Sequence, residues 1–458
     1  MRVLPAIVMA VIILQSCRDN SNYAAFTQDP LLYCKTVKRL NDIVLENNFP
    51  PMIGSRNYVY ANIAAYEVVA AGDDSTYRSL AGQIKSMPNM PKWKGGKIDY
   101  QLAALLAFVK VGNAVTFPEG SMMEYYENLL KDAEEAGMPD EVSSNSKKYA
   151  DEISARVMAW AKNDNYAQTR SAEKYSVLEE EGRWVPTPPM YAQGMESHWR
   201  DIRTLVLDSC SQCKPPRPPK FNMQDTTSEF YRQALEVKKY GDSINSEQKH
   251  IADFWDDNPF KLNVSGHVMF ATKRFSPPGH WMNIAGIAAE KSGIDFNSTV
   301  YAYTKTAIAL FEGFISCWDE KYRSNVVRPE TVINKYIDPE WRPYIQTPPF
   351  PSYVSGHSVI SAAAAEVMTA IYGDNFSFTD TSSTEFGIAP RSFGSFRQAS
   401  IEAGMSRLYG GIHYRADLDA GNEEGIKVGR LVVDRLLMRK SKPTTARTIP
   451  NHLGKVSN

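Results

Sequence analysis

The sequence predicts a mainly α fold, a helical-bundle assembly. Apolar residues recur at three- and four-residue steps through many segments of the 458-residue chain, which is the spacing of one face of an α-helix. Alternating apolar and polar runs bounded by hairpin turns are sparse, so the sequence gives little support for a sheet. With 43% hydrophobic residues, a chain of this length can bury a substantial core.

The overall charge indicates which kinds of partner to expect. The formal net charge is -1, and charged residues make up 22% of the chain. A protein without a basic excess is a poor candidate for binding nucleic acid or an anionic membrane surface. We therefore expect small-molecule substrates, and we expect any positive charge at a binding site to be local.

The first 17 residues have the features of an export signal. Arg2 precedes an apolar run over 3–14, and residues 14–17 read Leu-Gln-Ser-Cys. A basic start, a short apolar stretch and a small residue before the cleavage point are typical of a secretory signal peptide. Cys17 after Leu-x-Ser also resembles the bacterial lipobox. We expect an exported lipoprotein, periplasmic or on the outer membrane or cell surface, whose only membrane attachment is the lipid on Cys17; an ordinary cleaved signal is the alternative.

Residues 18–220 are predicted to form an N-terminal helical region. Its predicted helices cover 23–48, 99–113, 121–136 and 144–163. Asp140 and Ser144 are candidate caps for the last of them. The region ends in a proline-rich stretch over 183–219. Because proline interrupts the helical hydrogen-bond ladder, we expect an irregular connection there, and we place the boundary between two regions at its end.

Residues 221–440 are predicted to form a C-terminal helical region, followed by a tail over 441–458. The predicted helices cover 227–238, 246–254, 280–293, 298–319, 359–372, 400–409 and 417–438. The fold prediction places the functional site in this C-terminal bundle, for the reasons that follow.

Three short segments of the C-terminal region carry the residues that point to chemistry. Residues 321–329 read KYRSNVVRP, residues 355–357 read SGH after a proline-rich approach, and residues 406–417 read SRLYGGIHYRAD. VSGH also occurs at 264–267, but only the second copy stands in order with the other two segments. The candidate site residues in these segments are Lys321, Arg328, Ser355, Gly356, His357, Arg407, His413 and Asp417.

The donors among these residues suit a tetrahedral oxyanion. The guanidinium groups of Arg328 and Arg407 offer planar forks of donors that match an oxyanion in a bidentate manner, and Lys321 adds a compact positive charge. Ser355 and Gly356 precede a predicted helix, whose N-terminus offers unpaired amides to an anion. The sequence therefore predicts an oxyanion site.

The histidines add reactivity to that site. His413 is placed to act as a nucleophile or a ligand, and Asp417, four residues on, could hold its other ring nitrogen. His357 is the candidate acid–base group. Pro329 is expected to end the preceding helix, so that Arg328 would project from the helix end.

The motifs K-x6-RP, P-S-x-x-SGH and SR-x3-G-x-H-x3-D resemble the signature shared by vanadium-dependent haloperoxidases and the phosphatidic-acid-phosphatase-type acid phosphatases. The resemblance spans roughly the last third of the chain and implies one vanadate per chain, held within a bundle of helices. It implies that His413 is the axial vanadium ligand. The implied vanadate-binding residues are Lys321, Arg328, Ser355, Gly356, His357, Arg407 and His413. The implied catalytic residues are His357, His413, Lys321 and Asp417, and the implied halide pocket is formed by Trp318 and Phe350.

The two activities of this superfamily use the same cage, so the motifs alone leave the reaction open. Chain length, the export signal and the helical body favour a haloperoxidase over a phosphatase, and the resemblance implies an enzyme similar to the bacterial iodoperoxidases. Such an enzyme oxidises iodide with hydrogen peroxide to hypohalous acid, and bromide is the next candidate. The alternative is an exported acid phosphatase with a phosphohistidine intermediate. A surface lipoprotein that only binds phosphate or glycans is a third hypothesis, but it would need neither His357 nor His413.

Other polar residues have weaker sequence support. Trp255, Asp256, Asp257 and Asp319 are candidates for an outer layer around the site, although a helix-capping Asp-Asn-Pro turn is the simpler explanation of 255–259. The remaining histidines are expected at the surface or hydrogen-bonded in the core: His198, His250, His267, His280 and His452. Cys210 and Cys213 form a C-x-x-C pair without the further ligands of a zinc site, so we expect a local disulfide or two free thiols.

Overall fold

The computed structural model describes residues 21–118, 121–258, 261–265 and 268–440, with only the backbone for residues 21, 22, 261–265 and 268–272. The export signal, Cys17, the tail over 441–458, His267 and His452 lie outside the described residues. The described chain is mainly α-helical, which confirms the predicted fold class. The proposed division into two regions near residue 220 stays a prediction.

The first half of the described chain contributes seven helices. They are α1 (Ser21–Thr27), α2 (Pro30–Glu46), α3 (Pro51–Gly72), α4 (Tyr100–Thr116), α5 (Met123–Glu135), α6 (Asp140–Ala161) and α7 (Tyr166–Ser171). The proline-rich stretch after α7 holds a single 3-10 turn at Trp199–Asp201, as expected of an irregular connection.

The second half contributes eight helices and two short antiparallel ribbons. The helices are α8 (Glu229–Asp242), α9 (Ser246–Phe254), α10 (Pro277–Ser292), α11 (Phe296–Ser324), α12 (Pro329–Tyr336), α13 (Gly356–Tyr372), α14 (Phe396–Tyr409) and α15 (Arg415–Arg435). The ribbons pair β1 (Lys261–Ser265) with β2 (Val268–Thr272), and β3 (Phe378–Asp380) with β4 (Arg391–Phe393). Within the described residues no helix combines the length and the low charge that crossing a bilayer requires.

Helix α3 has no counterpart among the sequence predictions. Nearly every residue from Met52 to Ala70 is buried, so the helix lacks the polar face whose alternation reveals a surface helix. Its charged residues are satisfied internally: Arg56 Nε lies 2.7 Å from Asp164 Oδ2, and the amide of Leu80 donates to Glu67 Oε1 at 2.7 Å. A helix buried on all sides carries no amphipathic period to detect.

The end of α11 differs from the prediction. The helix ends at Ser324, and Asn325 takes the left-handed conformation with φ of 50°. Pro329 begins the next helix, α12, instead of ending the preceding one, because proline fits a first helical turn, where its missing N–H is not needed. Arg328 is therefore the residue that caps α12, and the expectation that it projects from the end of α11 is wrong.

Helices α13 and α15 approach each other through glycine. Gly425 of α15 lies so close to α13 that an added Cβ would sit 2.1 Å from the carbonyl oxygen of Val359, and one on Gly429 would sit 2.7 Å from that of Ala363. This contact brings the N-terminus of α13 beside the start of α15, where the amide of Ser355 donates to the carbonyl of Asp417 at 2.9 Å. The helix pair thus assembles two of the three motif segments.

Replacing Gly425 with alanine is expected to destabilise the protein. Because the new methyl group would meet backbone of α13, which cannot rotate away, the two helices must separate, at a cost of about 2 kcal/mol. Chemical denaturation of Gly425→Ala should show this loss. Lys427→Ala, on the exposed face of the same helix, is the control, and equal stability of the two variants would contradict the close helix contact.

Candidate active site

The second and third motif segments line a cavity of about 350 Å³, and so does Trp318, three residues before the first segment. The predicted site residues that line it are Trp318, Phe350, Gly356, His357, Arg407 and His413. Lys321, Arg328, Ser355 and Asp417 are also buried, at 2% exposure or less, and do not line the cavity. The structure thus brings all ten predicted site residues into one buried region. Six of them line the cavity. Lys321, Arg328 and Asp417 interact with the lining residues through hydrogen bonds and charge, and Ser355 directly precedes Gly356 in the chain.

Lys321 lies at the C-terminal end of α11 and is fully buried. Its Nζ donates to the carbonyls of Pro351, Ser352 and Val354, at 2.9, 3.0 and 2.6 Å. Burial lowers the pKa of this ammonium to about 7. The three carbonyls match its three N–H groups, so Lys321 fixes the loop that leads into α13, and donation to an anion would require sharing one of these bonds.

Arg328 is fully buried and only partly satisfied. Its Nε donates to the carbonyl of Phe350 at 2.8 Å, and Nη1 donates to the carbonyl of Ile412 at 2.8 Å and to Nε2 of His413 at 3.1 Å. Its Nη2 is buried without a hydrogen-bond partner. Burial lowers the pKa of Arg328 to about 10, so the guanidinium keeps its charge at neutral pH and has an unused donor.

His413 is held as one tautomer. Its Nδ1 lies 2.8 Å from Asp417 Oδ2, and its Nε2 accepts the bond from Arg328, so the proton is on Nδ1 and the lone pair is on Nε2. Burial, followed by the nearby charges of Arg328 and Lys321, lowers the pKa of His413 well below its usual value. The imidazole is therefore neutral, as a ligand or nucleophile must be.

The Asp417 carboxylate is fixed by three donors. Besides His413, its Oδ2 accepts from the hydroxyl of Ser352 at 2.5 Å and from the amide of Tyr414 at 3.2 Å. His413 precedes α15, and Asp417 is the third residue of that helix, so their contact arises at a helix cap and not along one helical turn. Burial raises the pKa of Asp417 to about 6. Ser352 lies inside the P-S-x-x-SGH motif, but sequence reasoning gave it no role.

Ser355 and Gly356 form the start of α13. Ser355 is the N-cap, and its Oγ accepts from the amide of Ser358 at 3.3 Å. Gly356, the first residue of the helix, faces the cavity, so the positive end of α13 is directed at it. This arrangement follows from the sequence, since serine is a favoured N-cap and glycine leaves room for an anion.

His357 and Arg407 also line the cavity. The side chain of His357 is 16% exposed, and its Nε2 lies 3.8 Å from Asp257 Oδ2 and has no hydrogen-bond partner. Burial and the charge of Arg407 lower the pKa of His357 well below its usual value. The Nε of Arg407 donates to Ser406 Oγ at 2.9 Å. His357 is therefore a neutral imidazole able to accept a proton.

Trp318 and Phe350 form an aromatic wall of the cavity. Their ring centroids are 5.0 Å apart, and Lys321 Nζ lies 5.7 Å from the first ring and 5.0 Å from the second. The indole Nε1 of Trp318 donates to the carbonyl of Met195 at 3.2 Å, which fixes the ring. The cavity thus has an apolar aromatic wall with a lysine ammonium over both rings.

Sequence reasoning missed a cluster behind His357. His280 lies between Asp257 Oδ1 and Asp380 Oδ2, each at 2.9 Å. From the sequence, His280 is expected either at the surface or hydrogen-bonded in the core, and the structure places it in the core with two hydrogen-bond partners. Asp257 belongs to the outer layer suggested for 255–259, whereas Asp319 forms an ion pair with Arg323 at 3.1 Å.

Two further histidines and the two cysteines of the C-x-x-C pair do not line the cavity. His198 contacts Asp201 and the carbonyl of Glu173, and His250 contacts the carbonyl of Ala389. Of the two alternatives for Cys210 and Cys213, a local disulfide or two free thiols, the structure has the free thiols.

A buried carboxyl group between α11 and α15 gives the site region a pH-dependent stability. Ser316 Oγ donates to Glu424 Oε1 at 2.5 Å, while Oε2 is buried without a partner. Burial raises the pKa of Glu424 to about 8. Above about pH 4.5 the unfolded state loses the proton of Glu424, whereas the folded state keeps it. The contribution of Glu424 to the free energy of unfolding is therefore complete at low pH and is lost as pH rises to 8.

We therefore expect Glu424→Gln, which cannot titrate, to change the pH profile of unfolding. Between pH 5 and 8 the free energy of unfolding of the wild type should fall relative to the variant by about 1.4 kcal/mol per pH unit. Denaturant titrations at four pH values measure this slope, with the exposed neighbour Glu423→Gln as control. Parallel profiles for wild type and Glu424→Gln would show that Glu424 is ionised in the folded protein.

The chemistry of the cage fits vanadate. Arg328, Arg407 and the N-terminus of α13 provide positive potential, and His413 provides a neutral Nε2 lone pair. Two buried atoms of the cage, Nη2 of Arg328 and Nε2 of His357, have no partner in the protein. In the described part of the chain no group of three or more His, Cys, Asp or Glu side chains could hold a metal cation. The donors thus match an oxyanion bound through one histidine.

This combination of a helical bundle and a buried oxyanion cage defines a class of enzymes that act at a tetrahedral oxyanion. A family model described as the VCPO second helical-bundle domain matches residues 301–440. The structure is similar to that of a protein described as the first bacterial vanadium-dependent iodoperoxidase, with 43% sequence identity and a TM-score of 0.85 over 90% of this chain and 98% of that chain.

The holo and apo forms of a bacterial vanadium-dependent chloroperoxidase share the fold at 15% identity. Their TM-scores are 0.63 and 0.64, and each match covers 84% of this chain, with 92% and 94% of those chains. No curated protein matches the chain. The chain belongs to the vanadium-dependent haloperoxidase family, and its cofactor is vanadate.

Proposed function

We propose that this haloperoxidase oxidises iodide with hydrogen peroxide to hypoiodous acid, with bromide as a second halide. The observation that carries the proposal is the 43% identity over 90% of the chain to a protein described as an iodoperoxidase. The aromatic wall of Trp318 and Phe350 supports it, because iodide is the largest and most polarisable of the halides considered. The overall reaction consumes one peroxide, one halide and one proton and yields hypohalous acid and water.

The protein supplies charge and proton transfer. Bound vanadate contributes Lewis-acid activation of peroxide without a change in oxidation state. Arg328, Arg407 and the amides at the start of α13 hold the oxyanion, and His413 Nε2 is the ligand, with its tautomer fixed by Asp417. The neutral imidazole of His357 accepts a proton from hydrogen peroxide and returns it to the oxygen that leaves as water.

Burial lowers the pKa of Lys321 below its ordinary value. A bound oxyanion beside it favours the charged ammonium, so cofactor binding and Lys321 protonation reinforce each other. Asp417 and Ser352 act through His413 and do not touch the substrate.

The test is an assay of the mature protein lacking Cys17, stripped with chelator and supplied with iodide and peroxide, with and without orthovanadate. We expect triiodide to form only with vanadate. Assays with bromide and chloride in place of iodide then give the order of halide preference. p-Nitrophenyl phosphate is given to the same preparation. Phosphate-ester turnover that vanadate abolishes, without halide oxidation, would instead establish the acid phosphatase.

We also propose that the enzyme is exported and tethered by lipid on Cys17. The basic start, the apolar run over 3–14 and the Leu-Gln-Ser-Cys sequence support this. When the complete sequence is expressed in a bacterial host, metabolic labelling with an alkyne fatty acid should label the protein. The substitution Cys17→Ser should remove the label. Export of an unlabelled wild type would favour an ordinary cleaved signal.

A further inference from the structure

His280 is clamped between two carboxylates that come from different parts of the fold. It belongs to α10, Asp257 follows α9, and Asp380 ends β3. The two contacts are 2.9 Å each, and the three side chains are between 0% and 6% exposed. The ring of Trp255 stacks on the imidazole, with centroids 4.7 Å apart and planes at 26°. His280 has no part in the proposed reaction.

The two contacts determine how many protons the cluster holds. A carboxylate oxygen at 2.9 Å from each ring nitrogen requires a proton in each contact, because two facing lone pairs would repel. The three groups therefore share two protons and carry a net charge of -1, most simply as an imidazolium between two carboxylates. Although burial opposes the charged form, Asp257 and Asp380 raise the pKa of His280 to about 10.

The cluster faces His357 through Asp257. Because Oδ1 of Asp257 is used by His280, its Oδ2 remains, 3.8 Å from the partnerless Nε2 of His357. Trp255, whose ring stacks on His280, directs its carbonyl to Nη2 of Arg407 and to the imidazole of His357. Fixing His280 thus fixes Asp257 and Trp255, two of the neighbours of His357.

We propose that His280 and Asp380 are positioning residues: they hold the Asp257 carboxylate and the Trp255 carbonyl in the orientation that His357 needs for proton transfer. A carboxylate bound firmly through one oxygen presents the other in a constant direction, as an outer layer does behind a catalytic histidine. The proposal rests on the acid–base role proposed for His357. The other charged or titratable groups facing that imidazole are Arg407, Lys321 and His413.

The first test uses the apoprotein labelled with 15N-histidine, so it does not depend on activity. We expect the two ring nitrogens of His280 to stay protonated from pH 5 to 9, with the signals assigned by their loss in His280→Gln. In Asp380→Asn, one ring proton should be lost within this range. A wild-type His280 that gives up a proton near its ordinary pKa, roughly 6.5, would overturn the proposal.

The second test compares vanadate-loaded wild type with Asp380→Asn and a matched control. Glu366→Gln removes another buried carboxylate, paired with Arg397 and Arg430, from the helix that carries His357. We expect Asp380→Asn to lower kcat about 10-fold, with vanadium content and the KM for halide changed less than about twofold. Since His280 keeps its proton at acidic pH, the lost negative charge disfavours the protonated form of His357. The acidic limb of the kcat profile should therefore move down by roughly half a pH unit.

Each outcome of the second test decides between roles. An Asp380→Asn variant that loses stability but keeps the wild-type pH profile would make the cluster purely structural. An equal displacement in Glu366→Gln would assign the effect to net charge and overturn positioning. If the wild type oxidises no halide with vanadate, the proposed function fails, while the nitrogen spectra of the apoprotein still decide the protonation of His280.

Discussion

Replacing His413 with alanine is expected to abolish halide oxidation and vanadium retention together. His413 brings a nitrogen lone pair into the cage, and its imidazole ring is held in a fixed orientation. Its Nδ1 contacts Asp417 at 2.8 Å, and its Nε2 lies 3.1 Å from Nη1 of Arg328. Without His413 the arginines still attract an anion, but no ligand holds vanadium. We expect kcat/KM to fall by on the order of 1000-fold.

The measurements are vanadium content after dialysis and vanadate-dependent triiodide formation. His250→Ala is the control, since that imidazole contacts the carbonyl of Ala389 and the ring of Phe254, both outside the cage. The free energy of unfolding of the apoprotein should also be measured, because Asp417 loses one of its three partners. A His413→Ala protein that is folded, binds vanadium like the wild type and turns over would show that another group is the ligand.

The local part of the site could be predicted from the sequence. The contact of His413 with Asp417 and the N-cap of α13 by Ser355 depend on residues a few positions apart, whose spacing limits where their side chains can lie. The pairing of Trp318 with Phe350, 5.0 Å apart, came from the resemblance.

The remainder depends on contacts that leave no local pattern. His280 meets partners 23 and 100 positions away in sequence, and nothing around it distinguishes it from other histidines. Helix α3 escaped prediction because it is buried on every side. The carbonyls that hold Lys321 belong to an irregular loop, whose backbone direction only the folded structure shows.

Replacing Arg328 with methionine is expected to produce the second large effect. Arg328 is the buried guanidinium with an unused Nη2, and its Nη1 donates to the nitrogen that is predicted to bind vanadium. Methionine fills a similar volume but offers neither charge nor donors. Loss of a charge-assisted hydrogen bond costs about 3 kcal/mol, which corresponds to roughly 100-fold weaker vanadate binding.

Equilibrium dialysis of the apoprotein with orthovanadate measures this affinity directly, and the activity at saturating vanadate shows whether turnover also requires Arg328. Arg323→Met is the matched control: it lies in the last turn of α11, two residues before Asn325, and pairs with Asp319 and Glu320 instead of the cage. Because Arg328 also supports the carbonyls of Phe350 and Ile412, the variant must be shown to be folded. A folded Arg328→Met with wild-type vanadate affinity would mean that Arg407 and the start of α13 suffice to hold the oxyanion, and that Arg328 serves only to orient His413.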